Sequence, residues 1–302
     1  MEEIYLSIIV PFKNQAKVLE KTIKEIVDYT NKASFKTQVI FSDTHSTDGS
    51  LDLAKKYAKA IEHFEYTEPT DNRGGKGQGI HDGIAVAKGK FVMFMDADSS
   101  TPIKEIDRLL PFINKYDIVM GSRYIKEAKP YNPNYFAGVF HGIKSVFEVL
   151  VFGHSKDYQA VGKQGRVRQF ISRGGNLAFT VLLNQSYIDQ RCGFKLYRKN
   201  VARLLAGLQT IYGNAVTGKD HGFGFDTEYC AIAQKYKLRT IEVPVYWFDS
   251  AATAIPNPIR DTFYSFKDIF TVQWNLLSGK YSKNKVKKNI NINIEEDILN
   301  WD

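Results

Sequence analysis

An α/β fold with a mostly parallel sheet is predicted by the first 121 residues of this 302-residue chain. Short runs rich in β-branched residues alternate there with helical patterns, which is the arrangement of βαβ units. The predicted strands span residues 6–10, 37–41, 90–95 and 117–121. Apolar residues at helical spacing lie between them, in segments 19–27 and 103–113. Ligands of open α/β sheets bind outside the carboxyl ends of the strands, so the loops that follow these strands are expected to carry the chemistry.

The composition narrows the class of protein. An apolar fraction of 43% is ordinary for a globular protein, and the chain is long enough for one large core or two fused halves. Its two cysteines lie outside any CxxC pattern or histidine cluster, which excludes a disulfide framework and a zinc site and favours a reducing cytosol. No run of about 18 uninterrupted apolar residues exists, and residues 1–12 are unlike a signal peptide. Neither a membrane span nor an export signal is expected.

Two stripes of apolar residues at helical spacing mark the second half of the chain, in segments 139–153 and 259–277. The first stripe fits a core helix or a helix that lies on a membrane surface. Five lysines and then three acidic residues follow the second stripe, a pattern typical both of solvated tails and of proteins that hold anionic lipid. The formal net charge of +8 suits an anionic partner, but it does not distinguish a nucleotide, a phosphorylated substrate, an acidic lipid surface or nucleic acid.

Asp96 and Asp98 directly follow the apolar run 91–95, so the buried strand fixes both at the edge of the sheet. Two carboxylates one residue apart can share a divalent cation. Hard oxygen ligands favour Mg²⁺ or Mn²⁺ over zinc, and such an ion typically bridges to substrate phosphates. A DxD pair is common by itself, and its place after a buried strand is what favours a metal site.

Further charged residues follow the second strand and open the next helix. Asp43 stands at a strand end, where an acidic residue can accept a hydrogen bond from a nucleobase N–H or a ribose hydroxyl. Asp48, in contrast, is expected to cap the following helix. The glycine-rich stretch 71–79 contains Arg73 and Lys76. Its glycines allow a ligand to approach the backbone closely, and two cations near a helix N-terminus suit a diphosphate.

Four segments in this order resemble the motifs of a family 2 glycosyltransferase with the GT-A fold. They are VPFKN (10–14), DTHSTDG (43–49), NRGGKGQGIHDGIAVAKG (72–89) and MDADSSTP (95–102). The later blocks 189–199 and 222–247 are similar to those of dolichyl- and polyprenyl-phosphate sugar synthases, above all the glucosyl-phosphodolichol synthases. The resemblance covers residues 5 to about 247, and it implies a Rossmann-like, mostly parallel mixed sheet flanked by helices, followed by C-terminal amphipathic helices.

The resemblance also implies a division of the chain. Residues 1–124 are expected to be the nucleotide-sugar-binding half, and residues 125–250 the acceptor-binding half of the same GT-A domain. Residues 251–302 are expected to form C-terminal amphipathic helices and a charged tail.

The implied reaction is transfer of a sugar with inversion, and the leading interpretation is glucose from UDP-glucose to a polyprenyl phosphate. UDP is preferred over GDP, and Mg²⁺ or Mn²⁺ is the expected cofactor. The protein is expected to be cytoplasmic and peripherally associated with the inner face of the membrane, where it would meet its lipid acceptor and an anionic surface. A metal on Asp98, with Asp96 near the ribose or the metal, would neutralise the departing diphosphate, and Lys76 and Arg123 would add to this. The residues expected to bind the nucleotide sugar are Pro11, Asn14, Asp43, Arg73, Lys76, Asp96 and Asp98.

The acceptor remains open between two classes. A lipid phosphate attacks without a general base and needs only cations to hold it, and the candidates are Arg123, Arg168, Arg173 and Arg191. A hydroxyl acceptor, such as diacylglycerol or a growing glycan, must lose a proton, and Asp189 is the best-placed carboxylate by resemblance. A role for Asp189 in capping a loop is the simpler alternative. The expected catalytic residues are Asp98, Arg123 and Asp189.

Three departures from the family pattern concern the donor site. Gln15 replaces the opening glutamate, Thr44 replaces the second aspartate of the family's DDGS, and Ser100 stands where some relatives have a metal-binding glutamine. A sugar-nucleotide pyrophosphorylase would need a GxGTR-like loop after the first strand, and residues 11–15 do not form one. A basic lipid-binding or nucleic-acid-binding module would leave three acidic motifs without purpose, because carboxylates repel phosphates unless a metal intervenes. No nucleic-acid partner is expected.

Overall fold

The structure is a computed structural model that describes residues 3–154, 160–161, 166–214, 224–248 and 258–285. Its strands are β1 (Leu6–Phe12), β2 (Thr37–Asp43), β3 (Phe64–Thr67), β4 (Arg73–Gly74), β5 (Phe91–Phe94), β6 (Ile118–Ser122), β7 (Lys129–Pro130), β8 (Ala160–Val161), β9 (Lys195–Arg198), β10 (Gly213–Asn214), β11 (Thr240–Pro244) and β12 (Trp247–Phe248). Its helices are α1 (Ala16–Lys32), α2 (Ser50–Lys56), α3 (Gly75–Val86), α4 (Ile106–Leu109), α5 (Tyr135–Phe152), α6 (Arg166–Leu183), α7 (Lys199–Leu208), α8 (Gly224–Lys235) and α9 (Pro258–Leu277). Short 3-10 turns lie at Ala58–Ala60, Ile103–Glu105, Leu110–Phe112 and Lys283–Lys285.

Eight of these strands form a mixed sheet in the order β3-β2-β1-β5-β9-β6-β11-β7. Neighbouring strands pair in parallel, except that β9 runs antiparallel to both β5 and β6, and β7 runs antiparallel to β11. The four strands predicted from the sequence are all present, and the prediction of a mostly parallel mixed sheet flanked by helices is confirmed. Because β9 lies between β5 and β6, segments 1–124 and 125–250 share one sheet.

The sheet separates two apolar cores. One face packs against α1 and α4, with Ile23 and Ile106 among the buried residues. The other face packs against α3, α7 and α8, and this core contains Ile80, Leu205 and Phe225. Burial of one such side chain stabilises the fold by about 1.5–3 kcal/mol.

The helix predicted over 103–113 is shorter than expected. Only Ile106–Leu109 is α-helical, with a 3-10 turn on each side. Pro111 lacks the backbone N–H that would continue the α-helical hydrogen bonds, which explains the break. The expected apolar face is nevertheless present, since Ile103, Ile106, Leu109 and Ile113 are all buried.

Helix α3 lies close to the sheet because glycines face the strands. A Cβ added at Gly83 would lie 2.5 Å from Ile9 Cγ2, and one added at Gly79 would lie 2.9 Å from Pro11 Cβ. Both distances are well below van der Waals contact, so a side chain at either position would push the helix away from β1. These glycines therefore allow α3 to pack closely against the sheet. Only the glycines at the start of the helix are left for the expected close approach of a ligand to the backbone.

Helix α5 presents its apolar side chains outward and its small or polar ones to the protein. Phe136 is 81% exposed and Phe140 is 71% exposed, and five more large apolar residues follow on the exposed side: Ile143, Phe147, Leu150, Val151 and Phe152. The buried residues are Gly142, Ser145, Glu148 and Val149. The interpretation of segment 139–153 as a core helix is therefore wrong, and the alternative, a surface helix with an apolar outer side, fits the structure.

Helices α6 and α9 extend this outer apolar surface, since α6 contacts both α5 and α9. Their exposed apolar residues are Phe170, Val181 and Leu182 in α6 and Phe266, Phe270, Trp274 and Leu277 in α9. We name the exposed apolar residues of these three helices the apolar helical face. The second predicted stripe is thus a helix, although the side chains of Ile259 and Phe263 lie outside the described part of the structure. Within the described ranges, α5 is the one helix long and apolar enough to cross a membrane, a feature that the sequence patterns do not predict.

Gly83→Ala should lower the free energy of unfolding by about 1–3 kcal/mol, because the added methyl group overlaps Ile9 and overpacking carries a cost of that size. Gly174→Ala in α6 is the matched control, since no atom lies within 4 Å of its added Cβ and alanine is favoured in a helix by about 1 kcal/mol. Urea unfolding followed by circular dichroism measures both changes. An unchanged or raised stability of the Gly83→Ala protein would contradict this account of α3 packing.

Candidate active site

The loops after β1 and β2 are joined at the carboxyl edge of the sheet. The backbone N–H of Asn14 donates to Ser46 Oγ at 3.0 Å, and the backbone N–H of Thr47 donates to Asn14 Oδ1 at 2.8 Å. Asn14 adopts a left-handed conformation with φ of +52°. Pro11, the other predicted nucleotide contact of this loop, is buried in β1. The two loops therefore form one rigid surface, and the nucleotide contacts of Pro11 and Asn14 stay predictions.

The two aspartates of the second loop have different partners. Asp48 accepts hydrogen bonds from the backbone N–H groups of Ala16 and Ser50, the first residues of α1 and α2, at 3.0 Å each. Asp48 thus accepts the first N–H of α2, as expected of a capping side chain, although the N-cap residue itself is Gly49. Asp43 is 5% exposed and accepts the N–H of Ser46 with both carboxylate oxygens, at 3.2 and 3.1 Å. Asp43 thus closes a turn, and its contact with a nucleobase or ribose stays a prediction.

The glycine-rich stretch before α3 places two cations near the start of that helix. Arg73 Nε donates to Asp71 Oδ2 at 2.8 Å, and its guanidinium lies 4.8 Å from the centroid of the Tyr212 ring. Gly74, the residue before the helix, has no side chain to cap the first N–H groups. An uncapped helix N-terminus beside cations favours an anion, as the sequence predicts for the diphosphate.

The side chains of Lys76 and Asp96 are in direct contact. Lys76 Nζ lies 2.5 Å from Asp96 Oδ1, and Lys76 is 22% exposed. Asp96 also lies against Gly193, where an added Cβ would be 2.0 Å from Asp96 Oδ2. A residue with any side chain at position 193 would therefore displace the carboxylate of Asp96.

Asp98 lines a groove of about 890 Å³ between α1 and segment 102–107. Its Oδ1 accepts the backbone N–H of Ser100 at 2.9 Å. Ser100 itself is 1% exposed, and its hydroxyl has no hydrogen-bond partner within the described residues. Its carbonyl accepts the N–H of Phe248 at 2.7 Å, which joins the Asp98 loop to β12.

The residues of this loop are of the types that hold a divalent ion together with a substrate. Asp96 and Asp98 supply carboxylate oxygens, and the unpartnered hydroxyl of Ser100 lies on the same turn. In the part of the chain that is described, no three His, Cys, Asp or Glu side chains come together as a ready metal cage. Mg²⁺ is usually held by one or two carboxylates together with water and substrate phosphates, so this set suits Mg²⁺ or Mn²⁺ better than zinc.

Arg123 and Asp189 form a buried ion pair beyond β6. Arg123 Nε and Nη2 donate to the two carboxylate oxygens of Asp189 at 2.8 Å each, and the backbone N–H of Arg123 donates at 2.9 Å. Burial raises the pKa of Asp189, but the Arg123 guanidinium outweighs burial and holds that pKa below its usual value. The carboxylate is therefore ionised at neutral pH, while both of its oxygens are engaged by the guanidinium.

The loop that carries Asp189 is held by side chains from β11 and α6. The Glu242 carboxylate accepts the backbone N–H groups of Ile188 and Asp189, at 2.8 and 2.7 Å. Arg173 Nη1 donates to the carbonyl of Ile188 at 2.9 Å, and Asn176 Nδ2 donates to the carbonyl of Tyr187 at 2.9 Å. Burial raises the pKa of Glu242 to about 7, and the nearby charge of Asp189 contributes.

Two further acidic residues lie at the start of α8. Asp226 is 2% exposed and forms an ion pair with the buried Lys195 of β9. Glu228 accepts hydrogen bonds from the backbone N–H groups of Thr210 and Ile211, at 2.9 and 3.0 Å. Glu228 thus supports a buried loop, and the charge of Asp226 is compensated by a lysine that the sequence analysis does not single out.

Comparison with known proteins agrees with this geometry. Residues 7–204 match the model of the family described as Glycosyl transferase family 2, which is more than half of the chain. This chain belongs to glycosyl transferase family 2. The dolichyl-phosphate beta-glucosyltransferase of Saccharomyces cerevisiae is 24% identical over 291 residues, which cover 94% of this chain and 78% of the relative. The Homo sapiens protein of the same name is 23% identical over 94% of this chain and 79% of the relative.

Solved structures share the GT-A fold of this glycosyltransferase. TarS 1–349 from S. aureus, in complex with UDP-GlcNAc, superimposes with a TM-score of 0.54 at 16% identity, covering 90% of this chain and 67% of that chain. The glucosyl-3-phosphoglycerate synthase from Mycobacterium tuberculosis, with Mn²⁺, UDP and glucosyl-3-phosphoglycerate, gives 0.53 at 16% identity, covering 91% and 79%. At these identities the likeness establishes the fold, which confirms the GT-A prediction.

The arginines predicted to hold an acceptor are not equivalent in this glycosyltransferase. Arg173 is 1% exposed, and its Nε donates to Ser145 Oγ at 2.8 Å, so it supports the Asp189 loop from inside the protein. Arg191 is partly exposed, and its guanidinium lies 4.7 Å from the ring centroid of Phe179. Burial lowers the pKa of Arg191 to about 10, so it stays a cation at neutral pH.

Arg168, the fourth of these arginines, lies in α6, and its side chain is outside the described part of the structure. The acceptor contacts of the four arginines stay predictions.

Three residues that shape the site were not predicted: Gly193, Lys195 and Glu242. Lys195 and Glu242 each interrupt an apolar strand, at FKLY (194–197) and TIEVPV (240–245). A charged residue within a buried strand needs a partner of opposite charge or hydrogen-bond donors, and that was the signal available in the sequence. Gly193 gives no comparable signal, because the need for a glycine arises from the distant Asp96.

Glu242→Gln should change how stability depends on pH. The pKa of Glu242 is about 7 in the folded protein against 4.5 as its ordinary value, so the folded state binds the extra proton between these pH values. The free energy of unfolding of wild type should therefore fall, relative to that of Glu242→Gln, as pH rises from about 4.5 to 7. The fall should be at most about 1.4 kcal/mol per pH unit. Urea unfolding of both proteins across this range measures the difference. A difference that is constant with pH would show that Glu242 keeps its ordinary pKa.

Proposed function

We propose that the protein transfers glucose from UDP-glucose to a polyprenyl phosphate at the cytoplasmic face of a membrane, with inversion at the anomeric carbon. In this proposal, residues 1–124 hold the donor and residues 125–250 hold the acceptor, while the exposed apolar residues of α5, α6 and α9 contact the membrane. The names of the relatives support a phosphorylated polyprenol as acceptor and a beta-linked glucose as product. The glucose of UDP-glucose is α-linked, so a beta-linked product requires inversion. The observation that carries the proposal is the ion pair in which Arg123 engages both oxygens of Asp189.

The state of Asp189 favours a phosphate acceptor over a hydroxyl. A hydroxyl must lose its proton to a general base, whereas a phosphate is already an anion. The Arg123 guanidinium lowers the pKa of Asp189 and so opposes its action as a base. In the proposed reaction a phosphate oxygen of the lipid forms a bond to the anomeric carbon, the bond from that carbon to UDP breaks, and no proton is transferred. Arg123 and Arg191 supply the charge that holds the acceptor phosphate.

The donor diphosphate is proposed to lie between Arg73, Lys76 and the start of α3. Negative charge grows on the diphosphate as the glucosyl bond breaks, and fixed cations stabilise that leaving group. Asp96 and Asp98 would hold a Mg²⁺ or Mn²⁺ ion, which when bound supplies further positive charge beside the diphosphate. The nucleoside is proposed to contact Pro11, Asn14 and Asp43. The UDP and UDP-GlcNAc of the two solved structures with this fold support UDP over GDP.

The apolar helical face is proposed to lie on the membrane that contains the acceptor. A helix that exposes phenylalanines while it buries Ser145 and Glu148 has the reverse polarity of a water-facing helix, which favours lipid as its surroundings. Lys144, near the middle of α5, is 60% exposed, which favours a helix at the lipid interface over one that crosses the bilayer. Exposed lysines in and after α9 would attract anionic lipid, and they are Lys267, Lys280, Lys283 and Lys285.

A direct transfer assay tests the reaction. Purified protein is incubated with UDP-[¹⁴C]glucose, Mn²⁺ and either polyprenyl phosphate or diacylglycerol, and the label that becomes soluble in organic solvent is counted. We expect label with polyprenyl phosphate and none with diacylglycerol. Asp98→Ala should lower this transfer by about 100-fold or more, since a metal ion contributes several kcal/mol to stabilising such a leaving group. Label in diacylglycerol would identify a hydroxyl acceptor, and an active Asp98→Ala protein would exclude the metal assignment.

A vesicle-binding measurement tests the membrane contact. Replacing Phe140 and Phe147 together by serine should weaken sedimentation with vesicles of anionic phospholipid by more than about tenfold, because each phenylalanine contributes about 1.5–3 kcal/mol when it is buried. Tyr66→Ser is the matched control, because Tyr66 is 44% exposed but lies in β3, away from the apolar helical face. Equal binding by the double variant and wild type would rule out this face as the contact.

A further inference from the structure

The ion pair between Lys76 and Asp96 occupies one of the two oxygens that a metal ion would need. Lys76 Nζ lies 2.5 Å from Asp96 Oδ1, while Asp96 Oδ2 fills the space beside Gly193. The protein therefore already supplies a cation at the carboxylate that the proposed function assigns to the metal. A divalent ion that reached Asp96 with Lys76 in place would meet an ammonium group at short range.

Lys76 is also the cation best placed to move toward a diphosphate. It is the second residue of α3, next to the uncapped start of the helix, and its side chain is 22% exposed. Its Nζ lies 5.5 Å from the ring centroid of Phe94 and 6.0 Å from that of Phe225, and these rings flank the side chain without binding its charge in a hydrogen bond. Lys76 thus has two possible anionic partners, Asp96 and a diphosphate at the start of α3.

The second carboxylate near Lys76 does not compete strongly for it. Asp226 contributes to the electrostatic surroundings of Lys76, but its carboxylate is in direct contact with Lys195. Lys195 is 2% exposed and also donates to the carbonyl of Gln190 at 2.7 Å, so that pair is fixed within the protein. The partner that Lys76 would leave is therefore Asp96.

We propose that Lys76 couples the binding of the divalent metal to the binding of the nucleotide diphosphate. Without donor, Lys76 neutralises Asp96 and opposes the metal. When the diphosphate binds at the start of α3, Lys76 turns to it and Asp96 Oδ1 becomes available to the ion. Like charges at short range repel, so the movement of Lys76 away from Asp96 should raise metal affinity. Linkage requires that the metal raise nucleotide affinity by the same factor.

This inference rests on the proposed donor site. Metal titrations distinguish a failure of the inference from a failure of that donor site. Mn²⁺ binding to the full-length protein is measured by electron paramagnetic resonance, with and without UDP, for wild type, Lys76→Met and Lys104→Met. In wild type, UDP should tighten Mn²⁺ binding by at least about tenfold, within the range of measured coupling energies. In Lys76→Met, Mn²⁺ alone should bind about tenfold more tightly than in wild type, and the effect of UDP should shrink.

Lys104→Met is the matched control. It removes one positive charge close to the Asp98 loop, but Lys104 is exposed, so solvent and salt screen its charge. Its Mn²⁺ affinity should equal that of wild type. That result would show that the effect of Lys76→Met comes from the loss of its ion pair with Asp96 and not from a general change of charge. Lys76→Gln should behave as Lys76→Met does, and thermal unfolding confirms that both variants are folded.

Two results would overturn the inference. If Lys76→Met and wild type bind Mn²⁺ alone equally well while UDP still tightens binding, Lys76 is not the coupling group and the donor site stands. If wild type binds no Mn²⁺ even with UDP, the donor site of the proposed function is wrong, and the coupling fails with it.

Discussion

The buried ion pair between Arg123 and Asp189 is the constraint on which the geometry of the site depends. Removing two charges from water costs several kcal/mol per ion, and only good geometry with further hydrogen bonds offsets that cost. The two hydrogen bonds of 2.8 Å and the backbone bond of 2.9 Å provide it. Any shift of the loop before β9 would leave both charges unpaired inside the protein. The contacts of Glu242 and Arg173 to that loop are therefore as important to the site as the pair itself.

Other charged side chains at the carboxyl edge of the sheet are also paired within the protein. Lys76 with Asp96, and Lys195 with Asp226, repeat the arrangement of one cation and one carboxylate. Arg123 at the same edge is paired with Asp189, and Arg73 is paired with Asp71. An anionic substrate that enters this edge must compete with the protein's own carboxylates, so it is recognised by exchange of partners and not by simple attraction.

Periodicity and strand-end position were enough to predict the strands around β1, the edge at which ligands gather and the acidic residues that line it. They were not enough for β9, since its apolar run contains Lys195 and its pairing partners lie far away in the chain. The sequence also could not predict which side of α5 is exposed, because an apolar stripe does not show which side of a helix contacts the protein. Gly138 and Gly142 decide it, since an added Cβ would lie 2.6 Å from Ser186 and 2.8 Å from Leu177. The partner of each charge in the site likewise arises from tertiary contacts that no local pattern contains.

The reversed direction of β9 has a consequence for how the chain reaches its chemistry. A parallel strand delivers its last residues to the carboxyl edge, whereas β9 starts there, so the residues before it, including Asp189, Arg191 and Gly193, lie among the loops that follow the other strands. β9 also divides the sheet into a parallel block of four strands on one side and a block containing β6 and β11 on the other. One strand thus joins the block that carries Asp43 and Asp96 at its edge to the block that carries Arg123. A change in the register of β9 would therefore move Asp189, Arg191 and Gly193 relative to Asp96 and Arg123.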